Sequence, residues 1–306
     1  MRWLAGSVGV VCVTLAGGPH LDPVRVRAQD PSLTFHATAN SVALEVSVRR
    51  GGRPVAGLTA RDFEILDNGV RQDTADVSYE QLPIDVTIAL DVSASVTGSV
   101  LGQLRRSVQQ LKTDLAARDR LKLMAFNMRV HTLADFAEPS SPIPAAFDAI
   151  RAQGSSAIFD TLAVALTTPA PPERRQLIVV LTDGEDSSSV TSPVVLLDVA
   201  RRTTATVALV VAGKIAPAGR PIAPRELAFE QIFRQLAAVT GGAVITVAQG
   251  DDLTATFRRV LNDFRSSYVL HFIPHGVQPG GVHTLIVRVS QPGPFDIRSR
   301  SSYVWR

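Results

Sequence analysis

The sequence predicts an α/β fold, a doubly wound and mostly parallel sheet inserted in a small β-sandwich-like module that the N- and C-terminal flanks build together. Three observations predict it. Near-continuous apolar runs such as 84–91 and 177–182 have the pattern of strands buried on both faces. Between residues 83 and 267 such runs alternate with stretches whose apolar residues recur at helical spacing, the order of a parallel sheet covered on both sides. Outside those limits the pattern changes to short alternating segments separated by Gly and Pro, which read as antiparallel strands.

The first residues are read separately. Met1-Arg-Trp carries one positive charge, and Leu4 to Gly18 is uncharged and apolar but too short to span a bilayer. This is the form of a secretory signal peptide, with small residues ahead of Gln29 at Val26-Arg-Ala28. The expected organisation is therefore a leader at 1–28, an N-terminal β flank at 29–82, the α/β insert at 83–267 and a C-terminal β flank at 268–306. The product is expected to be exported, to the periplasm, the cell surface or the medium, with no membrane span in the mature chain. The single cysteine, Cys12, falls in the leader, so the mature chain would hold no disulfide.

In the first flank, Val42, Leu44, Val46 and Val48 alternate along one strand face. Phe63 to Val70 carries Asn68-Gly69, a strong hairpin signal. Segments 268–272, 284–289 and 295–297 then supply strands from the other end of the chain. Each flank alone is too small for a core of its own, which is why the two are expected to pair.

Within the insert, a strand from Ile84 is followed by a helix marked by Val100, Leu104, Val108 and Leu111. Strands follow at 121–126, 177–181, 206–212 and 243–247, with helices at 157–166, 194–201, 226–239 and 253–264. Lys214 to Pro224 holds three prolines and a glycine and reads as an exposed loop.

The first strand ends in Asp91-Val-Ser93-Ala-Ser95, and a later one in Thr182-Asp183-Gly184. Between them lies Gly154-Ser155-Ser156-Ala157. In open α/β sheets, strand ends of this kind are where ligands bind. Asp91, Ser93, Ser95, Ser156 and Asp183 offer only oxygen donors and few charges, which suits a hard divalent ion such as Mg2+ or Mn2+, with Ca2+ admissible, over Zn2+. Asp160 stands in the first turns of its helix, where a carboxylate complements the macrodipole. Glu185 and Asp186, followed by Ser187-Ser-Ser189, read as a solvated loop. None of these three is placed in the site.

These motifs resemble the von Willebrand factor A-type domain with its metal-ion-dependent adhesion site, whose pattern is Asp-x-Ser-x-Ser, a loop threonine, and an aspartate within Thr-Asp-Gly. Asp91, Ser93 and Ser95 match the first part and Thr182-Asp183-Gly184 the last. At the middle position the chain has Ser156 where the family usually has threonine. The whole chain resembles bacterial exported proteins that place such a domain between β-rich flanks. The resemblance implies a Rossmann-like sheet and a non-enzymatic, cation-dependent protein-binding or adhesion module. Its open metal position would be completed by an Asp or Glu carboxylate of a protein ligand.

Composition narrows the alternatives. In 306 residues, 45% hydrophobic and 19% charged, there is material for a substantial core. Removing 1–28 deletes three arginines and one aspartate, so the net charge falls from +3 to about +1. No basic run interleaved with aromatics points to nucleic acid. The six histidines are scattered, and neither a Gly-x-Ser-x-Gly elbow nor a P-loop occurs. The competing reading is Mg2+-dependent phosphoryl transfer from a strand-end aspartate, but that chemistry pairs the carboxylate with a second one two residues on, where this chain has Ser93. A scaffold with a metal-free site is the remaining alternative. Partner identity and oligomeric state are not encoded in any motif.

Overall fold

The computed structural model describes residues 41–79, 82–96, 98–212, 224–248 and 251–305. The expected leader lies outside them, as does the expected 214–224 loop up to its last residue, Pro224, where a helix begins. In chain order the strands are β1 (Val42–Arg50), β2 (Arg53–Pro54), β3 (Phe63–Asp67), β4 (Val70–Gln72), β5 (Thr74–Tyr79), β6 (Ile84–Asp91), β7 (Arg120–Phe126), β8 (Val130–Ala137), β9 (Arg175–Thr182), β10 (Thr206–Ala212), β11 (Ala243–Val247), β12 (Tyr268–Phe272), β13 (Gly281–Val289), β14 (Asp296–Ser299) and β15 (Ser302–Trp305). The helices are α1 (Gly98–Asp114), α2 (Ala145–Ala149), α3 (Ile158–Leu166), α4 (Pro193–Arg201), α5 (Pro224–Thr240) and α6 (Leu253–Arg265).

The two flanks interleave strand by strand. β1 lies between β12 and β14, and β3 between β13 and its own hairpin partner β4, so each sheet contains strands from both ends of the chain. The β3–β4 turn uses Asn68 and Gly69 at φ of 47° and 84°, the left-handed pair that an Asn-Gly hairpin requires. Alternation places Leu44, Val46 and Val48 inward, where they meet Phe63, Ile65, Leu270 and Phe272 in one core.

A polar group is built into that core. His283 Nδ1 lies 2.7 Å from Asp67 Oδ1, and the Tyr303 hydroxyl donates to Asp67 Oδ2 at 2.7 Å. Burial first, and then the Asp67 carboxylate, push the Tyr303 hydroxyl well above the ordinary phenol range, so it remains a donor. Tyr303→Phe leaves one lobe of a buried carboxylate without that donor, and a loss of about 1–3 kcal/mol is expected in the urea unfolding midpoint.

The insert is a six-stranded sheet in the order β11-β10-β9-β6-β7-β8. Its first five strands run parallel and β8 returns antiparallel at the edge. β6 and β9 are buried along their whole length because helices cover both faces. On one face Ile84, Val86 and Ile88 pack with α1 and α6; on the other Ala89, Met124 and Phe126 pack with α3, α4 and α5. The α/β fold and the doubly wound sheet are as the sequence predicts. β8 and α2 are additions that the sequence reading passed over.

Flanks and insert meet at the end of the sheet opposite the C-terminal strand tips. Arg175, at the start of β9, donates through Nε and Nη2 to Glu45 of β1 at 2.6 and 2.7 Å. Arg300, between β14 and β15, is buried and donates to the carbonyls of Ala200 and Thr203 at the C-terminal end of α4. Cations at helix C-termini complement the exposed carbonyls there. Among the described residues no helix is long and apolar enough to cross a membrane.

Candidate metal-ion site at the C-terminal edge of the sheet

Neighbouring strands deliver the site. β6 and β9 pair in parallel with Leu90 opposite Leu181, so the next residues of the two strands, Asp91 and Thr182, come out side by side. Asp91 is fully buried. Its Oδ1 accepts the Ser93 backbone N–H at 2.9 Å, and its Oδ2 accepts both the Ser156 and the Thr182 hydroxyls at 2.9 Å. The Ser93 and Ser95 hydroxyl oxygens stand 2.9 Å apart.

Backbone bonds fasten the loops to one another. Gln153 and Ala94 link the first and second loops, donating to Val92 O and Gly154 O respectively, both at 2.9 Å. Ser187 and Ser188 both donate to Ser156 O, at 2.8 and 3.0 Å, tying the second loop to the third. Ser187 Oγ accepts the Ser156 N–H at 3.0 Å. Gly184, at φ 93°, turns the third loop directly behind Asp183 and donates to the Thr182 hydroxyl at 3.1 Å. A side chain there would be strained by that φ and would press on Val211.

Four of the five sequence-predicted residues, Asp91, Ser93, Ser95 and Ser156, are therefore drawn into one cluster. Asp183 follows Thr182 at its edge, half-buried, and accepts the Glu185 N–H at 3.4 Å. Sequence reasoning missed the part played by Thr182, whose position as the last residue of an apolar strand beside Asp183 was the available signal. It also placed Asp186 in a solvated loop, and the structure corrects this. Asp186 is buried, and its Oδ2 accepts the Phe159 N–H at 2.8 Å while Oδ1 accepts that of Ser189 at 3.1 Å. The reason is that α3 begins after Ala157, which has no side chain to cap it, so a carboxylate from the next loop does so.

Asp160 does lie in the first turn of α3, and its carboxylate also accepts the N–H groups of Val190 and Thr191 at 3.0 and 2.7 Å. Burial works against its charge, but those bonds prevail and hold its pKa below the usual carboxylate range. Glu185 is exposed, as expected. Replacing Asp186 by Ala is expected to cost about 1–2 kcal/mol of stability in chemical denaturation, as loss of a helix cap does. An unchanged midpoint would show that the loop holds itself without it.

Burial raises the Asp91 pKa above the usual carboxylate range, with the bonds from Ser93, Thr182 and Ser156 only partly offsetting it. The site therefore contains a buried carboxylate short of positive charge. The donor set fits a small divalent ion. Its members are hydroxyl and carboxylate oxygens already within hydrogen-bonding distance of one another, the donor type that a hard divalent ion takes. Among the described residues no three His, Cys, Asp or Glu side chains gather into a metal-binding group, so this cluster is built mainly from hydroxyls.

The family model of the von Willebrand factor type A domain matches residues 85–259, more than half of the chain. No curated protein matches. Among solved structures, the conserved hypothetical protein BatB from Bacteroides thetaiotaomicron is 20% identical over 59% of this chain and 98% of that one, with a TM-score of 0.45. A von Willebrand factor type A protein from Catenulispora acidiphila is 14% identical over 89% and 76%, with a TM-score of 0.48. The pilus adhesin SpaC from Lactobacillus rhamnosus GG is 11% identical over 80% and 47%, with a TM-score of 0.48.

Proposed function

Because the chain belongs to the von Willebrand factor type A domain family, we propose that it is a divalent-cation-dependent protein-binding or adhesion module. Asp91, Ser93, Ser95, Ser156 and Asp183 hold Mg2+ or Mn2+, directly or through water, and an Asp or Glu of a protein ligand completes the coordination. The observation that carries this reading is the convergence of three loops, which gathers the Ser93, Ser156 and Thr182 hydrogen-bonding groups around one buried carboxylate.

The hydroxyls neutralise none of the ion's charge and the two aspartates neutralise it in part when water intervenes, so the ion retains an appetite for a further anion. Binding rather than catalysis follows from that balance. Ser93 occupies the position where phosphoryl transfer would place a second carboxylate, and an assay of the purified protein against a phosphate monoester is expected to show no Mg2+-dependent turnover. The apolar N-terminal segment supports export, to the periplasm, the cell surface or the medium.

The decisive experiment is titration of Mg2+, Mn2+ and Ca2+ against thermal stability. A saturable rise, reversed by chelator, is expected because an ion that binds only the folded chain stabilises it by mass action. A flat response to all three ions removes the cation from the function.

A further inference from the structure

We propose that β11 is the edge through which two copies of the chain associate, pairing antiparallel with its counterpart about a two-fold axis at Ile245 and joining two six-stranded sheets into one. The two edges of the sheet differ. β8, at one edge, carries the exposed Asp135 and meets β7 with two register shifts, and charge and irregular pairing are what keep an edge from adding a further strand. β11, at the other, is Ala243-Val-Ile-Thr-Val247, five residues without a charge, a proline or a shift in its register with β10. Among the described residues β10 is its only strand partner, so the outer row of its N–H and C=O groups has no ladder to join.

The side chains are left in the same condition. Val244 packs on the face covered by α5 and Ile245 on the face covered by α6, yet both are only half-buried, and Thr246 is exposed. An antiparallel partner centred on Ile245 sets Ile245 opposite its own copy, Val244 opposite Thr246, and Ala243 opposite Val247. The central pairs then join β-branched residues with no like charges between them, a combination that stabilises a sheet. Gly242 faces Ala248 in the same register.

Charge at the two ends selects a second copy over an unrelated strand. Just past the C-terminal end of β11, the exposed Asp251 accepts the Ala248 N–H at 2.7 Å. Beside the N-terminal end, Arg298 of β14 lines one cavity with Gly241, Gly242 and Ala243. Glu45 and Asp263 line it too but are engaged by Arg175 and Arg49, which leaves Arg298 without a salt bridge among the described residues. Antiparallel pairing brings Ala248 of each copy to Gly242 of the other, and so carries each Asp251 toward the other copy's Arg298. The two strands run in opposite directions, so the C-terminal sheet edges with the candidate ion sites face opposite ways. On the cation reading, which the pairing itself does not need, the dimer bridges two ligands instead of holding one surface twice.

The test follows the full chain carrying Cys12→Ser by sedimentation velocity over rising concentration. Self-association with a Kd of about 1–10 μM is expected, as for a small interface. Thr246→Lys, a charge at an exposed edge position, is expected to weaken it about tenfold or more while the thermal midpoint stays as in the parent. Under mild oxidation Ile245→Cys is expected to form a disulfide dimer, since residues directly opposite across antiparallel strands have Cα atoms about 4.5–5.5 Å apart. Thr246→Cys is expected to form none, because its two copies stand diagonally, beyond the reach of a disulfide.

A chain that stays monomeric throughout, a dimer that Thr246→Lys leaves unchanged, absence of cross-linking through Ile245→Cys, or cross-linking through Thr246→Cys as readily as through Ile245→Cys each overturns the pairing. None of these outcomes touches the Mg2+ thermal shift, so failure of the pairing and failure of the cation reading are read separately.

Discussion

Asp91→Asn is expected to abolish the stabilisation by Mg2+ and the binding of an acidic ligand, while the chain without metal remains folded. The parent should gain about 2.7 kcal/mol at an ion concentration one hundred times Kd, and the variant nothing. An asparagine fits the same space and can still accept the Ser93 N–H, so the loops retain most of their hydrogen bonds. What disappears is the only fully buried negative charge in the cluster.

Without metal the variant should be at least as stable as the parent near neutral pH. Burial holds the Asp91 pKa above its unfolded value, so the folded state takes up a proton before the unfolded state does as pH falls. The contribution of this group to stability is therefore greatest in acid, when it is neutral in both states, and declines as pH rises through the raised folded pKa. Removing the charge relieves that cost, with a gain on the order of 1 kcal/mol, as when function has been favoured over stability. Ion binding runs the opposite way. It requires the ionised carboxylate, so the Mg2+ shift should fade on acidification at a pH above that at which an ordinary aspartate would lose its charge. Calorimetric titration at several pH values measures this. An Asn variant that still responds to Mg2+ would place the ion elsewhere.

The parts of this site that could be read from the sequence are those set by a single segment. Asp91 and Asp183 stand directly behind apolar runs, and a strand buried on both faces can end at a carboxylate only where it leaves the core. Relations between segments were not legible. That Thr182 donates to Asp91 depends on the β6–β9 register, which neither strand encodes by itself. Asp186 was misread because an acid before three serines has the composition of a solvated loop. Its role depends on a helix elsewhere that begins after an alanine and lacks a cap of its own. In the flanks, alternation identified β1, but its place between β12 and β14 is decided by residues more than two hundred positions away. β8 escaped because it is a half-exposed edge strand with register shifts against β7, so no clean period of two survives.

Arg175→Met is expected to cost about 3–5 kcal/mol, a large share of the stability of an ordinary domain. The side chain is 3% exposed and ties β9 both to β1 and to the end of α6. It forms a two-pronged pair with Glu45 of β1, donates to the carbonyls of Phe264 and Arg265 where α6 ends, and stacks its guanidinium 4.3 Å from the centre of the Phe264 ring. Ser267 Oγ lies within hydrogen-bonding reach at 3.1 Å. Truncation leaves Glu45 without its counter-charge and the Arg265 carbonyl without that donor, although Phe264 O keeps the Ser267 N–H and hydroxyl, and the penalty comes from those stranded groups more than from the lost attraction itself. The double variant Arg175→Met with Glu45→Leu should therefore recover most of the loss, because replacing both members of a buried pair by apolar residues is close to neutral. Urea unfolding of the parent and of the single and double variants measures both effects. A single variant that costs less than about 1 kcal/mol would mean that the pair is effectively solvated, as exposed ion pairs are. The sandwich and the insert would then be joined by Arg49 on Asp263 of α6 and by Arg300 on the end of α4 instead.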